Sequence, residues 1–213
     1  RAPGPGHPHV KATPTAIPGV VVIEPQVRRD GRGFFLETFH RRKFEALGLP
    51  GEFVQDNHAF SAARGTLRGM HAQLHHPQGK LVRAVIGEVF DVAVDLRPDS
   101  PAFGRWVGEV LSEENFHQLY VPAGCAHGYL VLSDTSHVEY KCTAVYDRAD
   151  EIGLAWDDPE VGIRWPEGTP LVNERDGTWP RLAQLRPLLA PYRGLIARSG
   201  TPTGAAAITE PAP

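Results

Sequence analysis

Side chains able to do chemistry are concentrated between Arg68 and Lys80, in the stretch RGMHAQLHHPQGK. Three histidines, His71, His75 and His76, lie there between an arginine and a lysine. Imidazole can ligate a metal ion, and it can also take up and release protons near neutral pH. The cluster therefore indicates either a metal site or a centre for acid–base chemistry.

The metal interpretation needs more ligands than this stretch supplies. A site in a β-sandwich would use two closely spaced histidines, a carboxylate and a later histidine, and His71, Glu88 and His127 could provide three of them. Gln73, however, stands where a second ligand on the same strand face would fall. The pattern therefore favours acid–base chemistry, and we expect no metal and no redox cofactor.

A second informative stretch is HVEYKCTAVY, from His137 to Tyr146. If it is extended throughout, Tyr140 and Tyr146 share one face and stand about 20 Å apart at ~3.3 Å per residue. One phenol could then act on a reacting centre while the other stacks on a base. Spacing alone favours the simpler interpretation, two core tyrosines with hydrogen-bonded hydroxyls.

The elements that would position these residues are mostly short strands separated by turn signals such as RPDSP and LSDTS. In the run from Glu88 to Leu96, apolar residues alternate with Asp91, Ala93 and Asp95, as expected for a strand with one packed and one polar face. The other predicted strands are Val20 to Ile23, Leu81 to Ile86, Gln118 to Val121, Gly128 to Leu132 and His137 to Tyr146. Frequent short strands indicate an all-β sandwich or barrel, and the pattern does not choose between them.

The chain divides into one domain and two tails. Residues 1–18 are rich in Pro and Gly and are expected to form a flexible arm, residues 19–190 a single domain, and residues 191–213 a flexible tail. Within the domain, helices are predicted at Arg41 to Leu47 and around Pro180 to Leu189.

Composition excludes several classes of partner. The 213 residues carry a formal net charge of -3 without a Lys/Arg block, which argues against nucleic-acid binding, although local arginines could still hold a small anion. No apolar run has the length of a membrane span, and no signal peptide is visible. The two cysteines, Cys125 and Cys142, form no CxxC and are expected to be buried free thiols, which points to a cytoplasmic location.

A longer series of motifs resembles a known family. The series runs in order from Val20 to Asp176 and comprises RGFFLETF at Arg32, FVQDNHAFS at Phe53, GTLRGMH at Gly65, QGKLVRAVIGEVFDVAVDLRPDSPAFGRWVG at Gln78, QLYVPAGCAHGYLVLS at Gln118, EYKCTAVY at Glu139 and WDDP at Trp156. On these motifs the chain is identified as a member of the dTDP-4-dehydrorhamnose 3,5-epimerase family. The resemblance implies an all-β, cupin-type jelly roll with a few short peripheral helices, assembled as a homodimer.

The resemblance also implies roles for individual residues. His71 matches the catalytic base, Asp176 the aspartate that pairs with it, Tyr140 the general acid and Lys80 the lysine near the ketone oxygen of the substrate. Tyr146 matches the tyrosine that stacks on thymine. The positions that match residues holding the nucleotide and sugar are Arg32, Glu37, Gln55, Asn57, Arg68, His127, Glu151 and Arg175.

The implied substrate is a dTDP-4-keto-6-deoxyhexose, with inversion at C3 and C5. Three departures from the family pattern lie near the sugar: the loop from His71 to Lys80 is one residue short, Ala72 replaces an aromatic residue, and Asn173 replaces a serine. A single-centre epimerase acting on a related dTDP-sugar is therefore the alternative, and a metal-binding or non-catalytic cupin is a third hypothesis.

Overall fold

The computed structural model describes residues 10–166 and 168–198, and most of their regular structure is antiparallel β-sheet. A six-stranded sheet has the order β1-β2-β10-β7-β12-β5, and a second sheet has the order β13-β6-β11-β8-β9, with β14 parallel to β6. Two sheets with these crossed connections form a jelly roll, as the resemblance implies.

The strands of the first sheet are β1 (Lys11–Pro14), β2 (Val21–Glu24), β5 (Gln55–Ser61), β7 (Lys80–Ile86), β10 (Gln118–Val121) and β12 (Ser136–Cys142). Those of the second are β6 (Thr66–Gln73), β8 (Glu88–Asp95), β9 (Trp106–Ser112), β11 (Cys125–Val131), β13 (Glu151–Gly153) and β14 (Leu171–Val172). A separate hairpin joins β3 (Val27–Asp30) to β4 (Gly33–Leu36). The helices are α1 (Arg41–Ala46), α2 (Leu182–Leu185) and α3 (Leu195–Arg198).

Three apolar clusters hold these layers together. The first lies between the sheets and contains Val82 and Val138 from one sheet with Ala93 and Leu111 from the other. The second covers the outer face of the second sheet beneath α2. The third covers the outer face of the first sheet, where Phe44 of α1 packs. Both faces of both sheets are therefore partly buried.

The polar face predicted for β8 is present, but it points into the protein. Asp91 and Asp95 are both fully buried; Asp91 contacts the His127 ring and Asp95 forms a 2.7 Å ion pair with the buried Arg97. Ala93, on the same face, lies in the cluster between the sheets. Ion pairing and hydrogen bonding offset the cost of burying these carboxylates.

The prediction of a flexible arm over residues 1–18 is wrong for its described part, residues 10–18. Lys11–Pro14 pairs with Val21–Glu24 as the edge strand β1. Ile17 is buried in the core, and Arg97 donates from Nη2 to the Pro18 carbonyl at 2.8 Å. These contacts tie the segment down, while residues 1–9 lie outside the described part of the chain.

The predicted tail, residues 191–213, also begins too early. Tyr192 is fully buried and donates its hydroxyl to the Gln73 carbonyl at 2.6 Å. Gly194 donates its N–H to Asp99, and Leu195 packs on the cluster beneath α2. The packed domain therefore continues past residue 190 through these contacts, and residues 199–213 lie outside the described part.

Candidate active site

A cavity of about 300 Å³ opens between the two sheets. Its walls combine polar side chains from both sheets and from the loop after β12. The lining residues are Gln55, Asn57, His71, Ala72, Gln73, Gln78, Lys80, Tyr140, Tyr146 and Glu151. The structure therefore brings together seven of the residues for which the sequence implies a role in catalysis or binding.

The most closely coupled pair at this cavity is His71 and Asp176. His71 Nε2 lies 2.7 Å from Asp176 Oδ1, and Asp176 also accepts the Gly69 N–H at 3.1 Å. Asp176 is only 2% exposed, whereas the His71 side chain is 28% exposed. Burial raises the pKa of Asp176, but the bonds from His71, Gly69 and Trp179 together with the His71 charge outweigh it and hold that pKa below its ordinary value.

This pair depends on a close approach of β6 and β11 beneath His71. Gly69 and Gly128 face each other there, and a Cβ on Gly69 would lie 2.6 Å from the Gly128 Cα. Gly69 also has a φ of +139°, which favours glycine. The β6–β11 register shifts between His127 and Tyr129, so the two strands bend at this contact. The bend leaves the Gly69 N–H free to bind Asp176.

Lys80 and Tyr140 come from the opposite sheet. Lys80 starts β7 and pairs with Cys142 on β12, two residues beyond Tyr140. Its Nζ lies 5.9 Å from the centre of the Tyr140 ring. Burial lowers the pKa of Lys80, although Cys142 and Asp91 oppose that change. Burial also raises the pKa of Tyr140 to about 12, so this phenol stays protonated at neutral pH.

Tyr146 does not lie on a strand, because β12 ends at Cys142. The prediction of one extended stretch from His137 to Tyr146 is therefore wrong at its end. The turn carrying Tyr146 is held instead by Gln73, which donates to the Val145 carbonyl at 3.3 Å and accepts the Asp147 N–H at 2.7 Å. This turn bends the chain so that both tyrosines line the same cavity.

A polar network surrounds Tyr146. Its backbone N–H donates to Gln55 Oε1 at 2.8 Å, and its hydroxyl donates to Glu151 Oε2 at 2.8 Å. Arg175 forms an ion pair with the same Glu151 oxygen. Asn57 is linked to this group through the Gln55 side chain at 2.9 Å. Five residues implied to hold the nucleotide or the sugar are thus linked at the mouth of the cavity.

Arg68 and His127 lie beside the cavity rather than in its wall. Arg68 donates to Ser61 Oγ at 3.2 Å and to the Phe60 carbonyl at 2.9 Å. His127 pairs across the ladder with His71, is only 5% exposed, and lies 2.8 Å from Asp91 Oδ1. Direct substrate contact by these two residues remains a prediction.

Arg32 and Glu37 are located away from this cavity. Arg32 lies at the tip of the β3–β4 hairpin and pairs with Asp30 at 2.6 Å. Glu37 follows the hairpin and pairs with Lys43 at 3.1 Å. Within one chain the structure does not bring these residues to His71.

The two further histidines of the cluster, His75 and His76, lie in the loop between β6 and β7. Their backbone N–H groups donate to the Asp150 carboxylate at 2.8–3.1 Å. Across residues 10–166 and 168–198 no three His, Cys, Asp or Glu side chains are grouped as a metal ion would need. His71 takes part in its pair without them.

A second cavity, of about 260 Å³, opens on the outer face of the first sheet. Its charged side chains pair with one another: Arg83 with Glu139 at 2.8 Å, and Lys141 with Asp56 at 2.9 Å. Because these charges are already matched, the cavity offers less to a charged substrate than the one lined by His71.

Sequence reasoning missed four residues at the site. In the sequence, Gln73 stands out only because it occupies the place of a metal ligand, and Asp91 only as part of an alternating pattern. Gln78, which donates to the Ala144 carbonyl at 2.8 Å, and Trp179, beside Asp176, gave no signal of their own. Each contacts a site residue or the turn that carries Tyr146, and contacts between distant strands are not visible in spacing.

Comparison with known proteins agrees with this geometry. The profile of the family described as dTDP-4-dehydrorhamnose 3,5-epimerase matches residues 14–184. The chain is 54% identical over 169 residues to the dTDP-4-dehydrorhamnose 3,5-epimerase of Pseudomonas aeruginosa. This match covers 78% of this chain and 93% of that protein. It is 40% identical over 179 residues to the dTDP-4-dehydrorhamnose 3-epimerase of Streptomyces niveus, covering 83% of this chain and 86% of that one.

Among solved structures, the dTDP-6-deoxy-D-glucose-3,5-epimerase of Legionella pneumophila Philadelphia 1, in complex with dTDP-4-keto-L-rhamnose, superposes with a TM-score of 0.81 at 43% identity. The match covers 85% of this chain and 97% of that chain. Because the family profile spans most of the sequence and the relatives are matched over most of their length, the chain belongs to the dTDP-4-dehydrorhamnose 3,5-epimerase family.

Proposed function

We propose that the protein is an isomerase that inverts C3 and C5 of dTDP-4-dehydro-6-deoxy-D-glucose through an enolate and gives dTDP-4-dehydro-L-rhamnose. The observation that carries this proposal is the pairing of His71 with buried Asp176 beside a cavity that also contains Lys80 and Tyr140. A base, a cation and a phenol around one cavity are the groups that proton exchange beside a ketone requires.

His71 is the base in this proposal. Protons on the carbons flanking a ketone are acidic because the enolate spreads its charge onto oxygen, and a neutral imidazole can remove them. The Asp176 carboxylate fixes the proton on Nε2 and stabilises the imidazolium that forms. Nδ1 has no hydrogen-bond partner among the described residues, so it is the nitrogen available to the substrate.

Lys80 stabilises the enolate. Its ammonium group is buried in the wall of the cavity, where a positive charge acts strongly because water does not screen it. As the enolate forms, negative charge gathers on the former ketone oxygen. Lys80 therefore lowers the barrier most if that oxygen lies against it.

Tyr140 is the acid. Inversion needs a proton from the ring face opposite the base, and Tyr140 comes from the first sheet whereas His71 comes from the second. Its pKa of about 12, raised by burial, keeps the phenol protonated at working pH. After donation, the phenolate would recover a proton from solvent through the open mouth of the cavity, and His71 would release to solvent the proton that it removed.

The nucleotide binds at the mouth in this proposal. Tyr146 is 42% exposed and offers a ring face for thymine, while its hydroxyl is fixed by Glu151. Arg175 lies beside it, and a guanidinium suits the diphosphate through bidentate contacts. The remaining polar positions proposed to hold the nucleotide and sugar are Gln55, Asn57, Arg68 and His127.

We further propose a homodimer, in which the β3–β4 hairpin reaches the partner. Phe35 is 70% exposed and Phe34 is 54% exposed on this hairpin, which is an unusual state for large apolar side chains in a monomer. The same hairpin carries Arg32, and Glu37 follows it, so docking would bring both near a partner's nucleotide. Burial of both cysteines as free thiols supports the proposed cytoplasmic location.

The alternative is inversion at one carbon, as named for the Streptomyces niveus relative. Ala72 and the short loop between His71 and Lys80 lie near the sugar and favour this alternative, because they change the shape of the wall. The seven 3,5-epimerase relatives at 46–54% identity, all above the 40% of that 3-epimerase, support the double inversion.

The test is proton NMR of dTDP-4-dehydro-6-deoxy-D-glucose with the enzyme in deuterated water. We expect deuterium at both C3 and C5, and His71→Ala should slow exchange at least about a hundredfold, the usual value of a general base. His137→Ala, on the outer face beside Phe60, is the matched control and should exchange normally. Exchange at one carbon would favour the alternative, and exchange in His71→Ala above a hundredth of wild type would remove His71 as the base.

A further inference from the structure

Trp179 closes one side of the His71–Asp176 pair. Its indole Nε1–H donates to Asp176 Oδ1 at 3.3 Å, and this is the oxygen that His71 Nε2 contacts at 2.7 Å. The indole also stands edge-on to the imidazole, with ring centres 6.1 Å apart and planes at 76°. Trp179 therefore contacts both members of the pair.

The indole is seated firmly in this position. Gly153 pairs with His71 in the β13–β6 ladder, and a Cβ on Gly153 would lie 2.0 Å from Trp179 Cδ2. The glycine thus provides the space that the ring fills. On the ring itself lies the Arg175 guanidinium, 5.1 Å from its centre. A ring held between strand and cation can fix the groups beneath it.

We propose that Trp179 is a positioning residue for the proton transfer: its N–H fixes Asp176 Oδ1, and its ring fixes the His71 imidazole. This inference rests on the proposed function, because it assigns His71 as the base. Trp179 does not line the cavity and acts through Asp176 and His71.

The shared oxygen makes the proposal specific. A carboxylate oxygen that accepts two N–H groups divides its charge between them, so removal of the indole N–H strengthens its hold on the imidazole. A stronger hold stabilises the imidazolium form of the pair, so the acid limb of activity is expected to move to higher pH. Burial opposes the low pKa of Asp176, and the indole is among the donors that maintain it.

Other charged and titratable groups surround the pair and could influence its proton affinity. Each belongs to a different element, and none contacts the indole N–H. They are Arg68 of β6, Lys80 of β7, His127 of β11, Tyr140 of β12, Glu151 of β13 and Arg175 before Asp176. Trp179→Phe keeps an aromatic ring for the Arg175 guanidinium and leaves the other five in place, so a change in the pH profile can be assigned to the lost N–H.

The experiment compares Trp179→Phe with Trp165→Phe. Phe keeps a ring but has no N–H, and Trp165 donates instead to the Trp156 carbonyl, in the cluster beneath α2. In Trp179→Phe the acid limb of kcat/KM should move to higher pH by about half a unit, as the loss of one modest hydrogen bond predicts. Affinity for dTDP alone should not change, and Trp165→Phe should keep the wild-type limb.

If Trp179→Phe does not fold, a measurement on the unsubstituted enzyme still tests the proposal. With ¹⁵N-labelled tryptophan, one of the four indole N–H resonances should shift with a midpoint equal to that of the acid limb. The proposal is overturned if folded Trp179→Phe has the wild-type acid limb of kcat/KM. It is also overturned if none of the four indole N–H resonances shifts with the midpoint of that limb. Failure of the proposed function is recognised separately, because the wild type would then show no exchange in deuterated water.

Discussion

At the scale of single residues, the cavity holds two titratable groups in opposite states. Hydrogen bonds and the His71 charge overcome burial and keep Asp176 ionised, whereas burial keeps the Tyr140 phenol neutral, with a pKa of about 12. Environments that shift the pKa values of two groups in opposite directions indicate which group supports the base and which group is the acid. His71 and Tyr140 therefore have distinct roles, and these can be separated by substitution.

Tyr140→Phe should uncouple proton removal from inversion. Phe keeps the volume of the ring, so the fold should persist, while His71 and Lys80 can still form the enolate. His71 would return a proton to the original face, so solvent deuterium should enter the substrate while the rate of inversion falls about 10²–10⁴-fold. NMR in deuterated water measures exchange and configuration together.

The control is Tyr120→Phe, which removes a hydroxyl from the apolar cluster outside the first sheet. It should invert the substrate normally. If Tyr140→Phe inverts the substrate at the wild-type rate, then the acid is another residue or water.

At the scale of elements, the contact between β6 and β11 positions the base. A Cβ on Gly128 would lie 2.7 Å from both the Arg68 carbonyl oxygen and Met70 Sδ. Gly128→Ala should therefore push the strands apart, lower the free energy of unfolding by about 1–3 kcal/mol and reduce kcat. Urea denaturation and steady-state kinetics measure the two effects.

Gly177→Ala is the matched control for that substitution. Gly177 follows Asp176 directly, but a Cβ there would meet no atom within 4 Å. It should keep both stability and activity near wild type. Equal losses in the two variants would show that the close approach of the strands is not what holds the site.

Local patterns predicted the elements whose own sequence decides their structure. The helix expected from Arg41 to Leu47 appears as Arg41–Ala46, and the strand from Gln118 to Val121 is reproduced. The hairpin Val27–Leu36 was not predicted, because its two phenylalanines are adjacent, do not alternate with polar residues and are both exposed. The fold class and the site residues came from the motif series, since the approach of His71 to Asp176 depends on contacts between distant strands.

At the scale of the whole molecule, the β3–β4 hairpin stands apart from the two large sheets. Arg29 and Phe34 form a pair near the tip of the hairpin and pack on Phe116, while Phe35 is 70% exposed. An exposed aromatic side chain beside Arg32 fits an interface that brings this arginine to a second subunit. The proposed dimer and the proposed nucleotide site are therefore linked.

Phe35→Asp should weaken the dimer and the binding of dTDP together. A buried carboxylate at an apolar interface is strongly unfavourable, so light scattering should show the mass of one chain at concentrations where the wild type shows two. Calorimetry should show weaker dTDP binding, because Arg32 is withdrawn with the hairpin. Leu188→Asp alters another exposed apolar residue and should affect neither measurement. A monomeric wild type would contradict the dimer directly.

The bond between His71 and Asp176 joins residues 105 positions apart, and this separation bears on when the enzyme becomes active. A chain is synthesised from its N-terminus, and a domain generally folds as a unit. By the time Asp176 emerges, β1 to β14 have already been made, including every strand that lines the cavity. The carboxylate arrives with the segment that then seals the second sheet through Leu182, Leu185 and Tyr192. A chain that lacks this segment has no Asp176 to pair with His71, so the C-terminal segment is required both for the packing of the second sheet and for the catalytic pair.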